Sequence, residues 1–225
     1  KGRSVMYVPA PFAADDAAVH DLLAHHGAAD LVTATPRGLL ATHLPFLYEP
    51  LVGDRGALLG HVARGNDQWR QPVLGEALVI VRGEDAYVTP SWYATKAEHG
   101  RVVPTWDYVT AHVYGELVVH DDLGWVDALV RRLTDRHEAG NPHPWSVDDA
   151  PAEFIAGQLR GIVGIELLTT RVEAALKLSQ NRSDADVAGV VAGLEARGDA
   201  VSAAAVRRAR GRREHARGRR DPTPR

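Results

Sequence analysis

Cysteine is absent from the 225 residues, which excludes disulfide scaffolds, thiolate-ligated zinc or iron–sulfur sites and any thiol nucleophile. A bound metal or haem would have to use His, Tyr or carboxylate ligands. No run of about 18 apolar residues exists, so a membrane-spanning helix is not expected. The first residues, Lys1 to Met6, carry positive charge, but Pro9, Pro11, Asp15 and Asp16 deny them an apolar continuation, and the chain reads as cytoplasmic with no membrane partner. Also missing are an HExxH pair, a GxSxG elbow, a GxGxxG fingerprint, a P-loop, a helix-turn-helix signature and any internal repeat. The eleven histidines include no pair at helical metal spacing, because His25 and His26 are adjacent and face different directions.

What is present is the composition of a globular protein, 45% hydrophobic and 24% charged, long enough for one large core. Its net charge of −3 is unevenly placed. Residues 207–225 hold nine arginines against Glu214 and Asp221, a local balance of +7, so the remaining body carries −10. Such a tail admits two readings. It is a nucleic-acid contact, with salt-sensitive affinity, or a solvated helix end fraying into a disordered stretch that Pro222 and Pro224 terminate. No aromatic residue is interleaved to stack on bases, which favours the second.

Asp15 or Asp16 caps an expected helix through His26. From Ala29 to Val119 short strands follow, near 30–34, 39–47, 57–62, 77–82, 85–89 and 108–119, with a short helix capped by Asn66. Hairpin-like turns and no long intervening helices argue for an antiparallel barrel. In the second half Asp121 or Asp122 caps a helix to about Ala139, and Pro151 starts another. Ile162–Thr169 is a strand, Arg171–Leu178 is strand or helix, Ser183 starts a helix over 184–196, and 202–213 is helical. The expected class is α+β, with an antiparallel barrel domain over 1–198 and an arginine-rich helical or disordered tail over 199–225.

Polar clusters interrupt the apolar strands, and buried polar groups need partners. His43 lies in the first. The second places His61 at a strand end, then Arg64, Asn66, Gln68 and Trp69 beside a helix start. The third gathers Trp92, Tyr93, Trp106 and Tyr108 with flanking Pro90 and Pro104 as material for a flat apolar wall, followed by His112 and Tyr114 on one face of a strand. Lys177 to Arg182 adds two cations and three neutral hydrogen-bonding groups, suited to an anionic ligand group, an inter-subunit contact or a solvated turn.

Seven motifs in order, Met6-Tyr-Val-Pro9, Ala41-Thr-His-Leu-Pro45, Gly60-His61 with Asn66-Asp-Gln-Trp69, Ser91-Trp-Tyr93, Val103-Pro-Thr-Trp-Asp-Tyr108, Val163-Gly164 and Lys177-Leu-Ser-Gln-Asn-Arg182, closely resemble the PaiB family. These are FMN-binding negative transcriptional regulators of the pyridoxamine-phosphate-oxidase-like split-barrel fold. The resemblance covers roughly residues 6–197, with Asp67 where Pro is usual and Asp107 where Asn is usual. It implies a homodimer with FMN or haem b in an interfacial pocket. Arg64, Asn66, Gln68 and Trp69 would hold the cofactor's edge or anionic groups, and Trp92, Tyr93 and Trp106 would wall its plane. It also implies a small-molecule ligand, with DNA reached only through the arginine-rich tail.

A second branch of the family, the haem-dependent piperazate synthases, forms the N–N bond of piperazic acid from N5-hydroxyornithine. By resemblance to that branch His61 would be the axial haem ligand, with Tyr93 and Lys177 as catalytic candidates. The Ser-Trp-Tyr and Lys-Leu-Ser-Gln-Asn-Arg patterns favour the regulator-like branch.

Overall fold

The computed structural model describes residues 6–218, with no side chains from Arg213 onward. The charged start at residues 1–5, Pro222, Pro224 and the last arginines therefore lie outside the described residues. In chain order the elements are α1 (Asp16–His25), β1 (Ala28–Thr35), β2 (Gly38–Pro45), β3 (Leu47–Glu49), β4 (Ala57–Ala63), β5 (Ala77–Val88), α2 (Thr95–His99), β6 (Thr105–His120), α3 (Leu123–Glu138), α4 (Ala152–Arg160), β7 (Ile162–Lys177), α5 (Asp184–Ala196) and α6 (Ala200–Gly218). The strands form one antiparallel sheet in the order β2-β1-β5-β6-β7-β4-β3, and the fold is α+β of the split-barrel type, as expected.

Helix starts follow the short polar side chains that can satisfy free N–H groups. Asp15 Oδ1 accepts from the Ala18 amide at 2.8 Å and Asp122 Oδ1 from Trp125 at 2.8 Å. Ser183 Oγ accepts from Asp186 at 3.2 Å, and Asn66 Oδ1 from Gln68 at 2.8 Å, where it caps the single turn Asp67–Arg70. Two strand expectations need correction. Residues 77–82 and 85–89 are one strand, β5: Arg82-Gly-Glu-Asp85 has turn composition, but β5 is hydrogen-bonded between β1 and β6, and that pairing outweighs local propensity. Conversely, 39–47 breaks at Phe46 into β2 and the start of β3, and Arg171–Lys177 simply continues β7.

The chain forms two compact units. One is built from the described parts of Lys1–Val19, Arg82–Thr110 and Ala174–Arg225, the other from His20–Val81 and Ala111–Glu173. In the second unit, Leu129 and Leu133 of α3 pack on Leu47, Ala57 and Leu59, with Trp125, Val52 and Leu168 alongside. Burying each leucine is worth about 1.5–3 kcal/mol. Gly164 is required beneath α3, because a Cβ there would run into the Trp125 indole, which itself stacks on His120 at 4.0 Å and 7°. Arg136 ties α3 to the end of α1, donating to the carbonyls of Ala24 (2.6 Å), His26 (2.8 Å) and Phe46 (3.3 Å).

In the first unit α5 buries Val187, Val190, Val191 and Leu194, and α6 buries Ser202, Ala203, Ala205, Val206 and Ala209. Arg207 pairs with Glu195 at 2.6 Å, Arg208 with Glu84 at 3.0 Å, and Arg210 with Asp184. These described α6 arginines thus already meet acidic side chains.

Candidate functional site

Five of the expected cofactor contacts lie in the second unit. His61 sits on β4 opposite Gly164 of β7 and lines a cavity of about 300 Å³ together with Val130, Leu133, Thr134 and Trp145. Burial holds its imidazole below the usual histidine range, so the ring is neutral near pH 7. Its Nδ1 is buried with no hydrogen-bond partner among the described residues. Arg64 reaches Asp121 through two guanidinium nitrogens, at 3.1 and 2.5 Å, and donates to the carbonyls of Arg160 and Ile162 at 2.7 and 3.2 Å.

Asn66 caps its turn and donates to Thr42 Oγ1 at 2.9 Å. Gln68, only 3% exposed, is the hub beneath it. Its Oε1 accepts from Thr42 at 2.5 Å, and its Nε2 donates to Thr33 Oγ1 at 3.0 Å and to the carbonyls of Leu31 and Leu40 at 3.3 Å. Trp69 donates its indole N–H to the Arg64 carbonyl at 3.2 Å and carries the Arg70 guanidinium over its ring at 4.4 Å. The motif is therefore a self-satisfied polar network that shapes the strand ends.

The remaining candidates lie in the first unit. Trp92 packs its ring against α5 where a Cβ on Gly193 would strike it, and Arg197 covers the ring at 5.3 Å. Tyr93 is 3% exposed, its hydroxyl buried with no hydrogen-bond partner among the described residues, with the Arg182 guanidinium 4.5 Å from its ring centroid. Burial pushes the phenol upward. Trp106 is 54% exposed and meets exposed Tyr87 edge-on, centroids 6.0 Å apart, while Tyr108 stands two residues along on the same face of β6. Lys177 donates to Thr105 Oγ1 at 2.5 Å and to the Trp106 carbonyl, and its Nζ lies 5.7 Å from the Tyr108 ring centroid. Burial holds its ammonium below the usual lysine range, opposed by Asp107.

The structure adds a group that sequence reading did not join up. Asp107 Oδ2 accepts from Ser179 Oγ at 2.8 Å, and Asp107 is 2% exposed. Asp186 accepts from the Thr95 amide and hydroxyl; burial opposes its charge, but these donors and Arg182 hold its carboxyl below the usual range. The available signal was periodicity: on β6 the buried residues run Asp107, Val109, Ala111, Val113, so a carboxyl heads an apolar row. The pairing with Ser179, seventy-two residues away, had no local signal.

Residues 6–171 match the family described as "Putative FMN-binding domain". The chain is 31% identical over 195 residues to the Bacillus subtilis protein named protease synthase and sporulation protein PAI 2, covering 84% of this chain and 89% of that one. Among solved structures, a flavocytochrome, Anf3 of Azotobacter vinelandii, superposes with a TM-score of 0.53 at 13% identity, over 77% of this chain and 73% of its own. An FAD and haem binding protein of Mycobacterium smegmatis gives 0.50 at 19% identity, over 77% of each. These two likenesses concern the fold alone. The expected resemblance holds in sequence, motif order and architecture: the chain belongs to the PaiB-type FMN-binding split-barrel family.

Proposed function

We propose that this protein is a PaiB-type FMN binder in which the exposed aromatic face of the first unit receives the flavin ring. The observation that carries this is Trp106: a Trp more than half exposed on a sheet strand, beside Tyr87 and Tyr108, leaves apolar area in water that a planar ligand or a second copy would cover. Lys177 borders that face through its bonds to Thr105 and Trp106, where an ammonium can meet an anionic group or exchange a proton. The flavin would supply two-electron acceptor chemistry when bound. The geometry gives Arg64, Asn66, Gln68 and Trp69 a scaffolding task, and their cofactor role is proposed only as shaping the strand ends.

The regulatory role that the family resemblance implies is proposed as that of a homodimeric sensor rather than a direct reader of DNA. The body is strongly acidic, and Arg207, Arg208 and Arg210 are paired within the fold. Reconstitution tests the cofactor reading: paired flavin absorbance bands after gel filtration with FMN, weakened about tenfold or more in affinity by Trp106→Ala, support it. A protein that takes up no FMN refutes it.

One observation favours a second reading, a haem-dependent enzyme of the N–N bond-forming kind. His61 offers a neutral imidazole to a cavity, its buried Nδ1 leaving Nε2 as the nitrogen that can reach an iron. The donor chemistry fits: a neutral imidazole is a ligand for haem iron, and among the described residues no acceptor meets its Nδ1. A Soret band that disappears in His61→Ala is the expected result for this reading; an unchanged spectrum in that variant overturns it.

A further inference from the structure

We propose that the Asp107–Ser179 pair is a titratable counter-charge that sets how strongly Lys177 and Arg182 hold an anionic oxygen group, a phosphate. The source of that phosphate rests on the FMN reading above, and the experiment separates the two.

Three observations within the first unit meet here. Asp107 is a buried carboxyl served on one side only: Oδ2 accepts from Ser179, while Oδ1 is buried with no hydrogen-bond partner among the described residues. A half-served carboxylate binds a proton readily, because leaving a charged oxygen unpaired away from water is expensive. Next, the backbone goes out of its way to make the pair. Among the described residues Ser179 is the one non-glycine with positive φ, at 60°, a conformation that costs about 1–3 kcal/mol. The turn around it is clasped by the Gln180 side chain, which accepts from the Leu178 amide at 2.7 Å and donates to the Leu176 carbonyl, and by the Arg182 amide on the Ser179 carbonyl at 3.0 Å. Strain of this kind persists where surrounding structure holds a side chain in place for a purpose. Finally, the two cations flank the pair, Lys177 at the end of β7 and Arg182 in that turn. Lys177 and Arg182 each lie within electrostatic reach of Asp107.

The charged and titratable neighbours come from every element packed on the pair. β7 and the following turn bring Lys177 and Arg182. Tyr93, with its unpartnered hydroxyl, comes from the segment after β5, and Asp186 of α5 faces Arg182 and Tyr93. Burial raises the Asp107 carboxyl, and Ser179, Lys177 and Arg182 oppose it. At lower pH Asp107 is neutral and the two cations face the anion uncompensated. At higher pH its charge cancels part of theirs, and Lys177, held below the usual lysine range, sheds its proton earlier than an exposed lysine. Both effects loosen the anion as pH rises.

The experiment uses the full chain with inorganic phosphate as the first probe, read as protection of Lys177 from amine acylation by mass spectrometry, from about pH 5.5 to 8.5, the range that spans phosphate ionisation near pH 6. Asp107→Asn mimics the protonated acid and keeps an acceptor for Ser179. The wild-type protection midpoint should rise about tenfold more across that range than the midpoint of Asp107→Asn, whose residual slope reports the probe's own ionisation. Ser179→Ala, which removes the hydroxyl donor to Asp107 Oδ2, should shift the wild-type transition to higher pH. Equal slopes in wild type and Asp107→Asn, with both proteins folded by circular dichroism, overturn the proposal. Titration with FMN and with riboflavin, the same ring without phosphate, then identifies the source. An Asp107-dependent slope for FMN alone places the cofactor's phosphate there. Absent flavin binding with an intact phosphate effect refutes the FMN reading and leaves the counter-charge standing.

Discussion

Gln68→Ala discriminates between a scaffolding and a ligand-contacting motif at Asn66–Trp69. The buried amide accepts one bond from Thr42 and donates one good bond to Thr33, with two longer ones to the carbonyls of Leu31 and Leu40. Counting the two short bonds at about 1 kcal/mol each, and roughly 1–2 kcal/mol for the space left by a truncated side chain, the expected loss is about 3–4 kcal/mol. For a chain of this size each kcal/mol moves Tm by about 2–4 °C, so the melt should fall by roughly 6–16 °C. Gln68→Leu keeps most of the volume but takes the acceptor from Thr42 and the donor from Thr33, and about 2 kcal/mol should be lost. Urea denaturation followed by far-UV circular dichroism measures both, and an unchanged m value confirms that the native state alone was altered. A loss below about 0.5 kcal/mol combined with abolished FMN uptake would refute the scaffolding account and return Gln68 to the ligand.

Gly193→Ala drives a methyl into the Trp92 indole, so about 1–3 kcal/mol of stability should be lost together with a change in Trp fluorescence. Unchanged emission and stability would contradict the packing. Arg136→Ala removes two bonds to backbone carbonyls at the end of α1 and one to Phe46 between β2 and β3, and should cost about 2–3 kcal/mol, with Arg136→Lys recovering only part of it, because an ammonium lacks the planar fork. His26 donates Nδ1–H to the Leu23 carbonyl at 2.7 Å, is 5% exposed, and is held below the usual histidine range first by burial and then by Arg136 and His137. A depressed folded pKa means the unfolded chain takes up the proton first. Stability is therefore fully present above about pH 6.5 and falls as pH drops through that value toward the folded pKa. His26→Gln should flatten that acid limb in urea titrations at successive pH values, and an unaltered limb would assign it to other groups.

Much of the fold could be read from local chemistry. Asp15, Asn66, Asp122 and Ser183 stand where a short acceptor must precede a helical turn, and each caps one. The strand count failed at Arg82-Gly-Glu-Asp85, because turn composition is a local preference and the ladder on either side of β5 is not local. The site was legible as residue types but less so as roles. Gln68 and Asn66 look like ligand-binding groups by type, yet their partners, Thr42, Thr33, Leu31 and Leu40, sit in β1 and β2 and absorb their polarity. Asp107 shows the reverse. Its burial could be anticipated from the apolar alternation of β6, but what it faces depends on a turn seventy-two residues on.

The way the units are threaded bears on biosynthesis. The second unit ends at Glu173, whereas the first gathers the described parts of Lys1–Val19, Arg82–Thr110 and Ala174–Arg225. A growing chain can therefore complete one unit while the other still waits for α5 and α6, and the early segments destined for it stay unpaired in the meantime. Trp92, seated on Gly193, cannot be covered before α5 has been synthesised. Translation arrest or proteolysis just before Ala174 would leave that indole and the Asp107 carboxyl without the partners that later sequence provides.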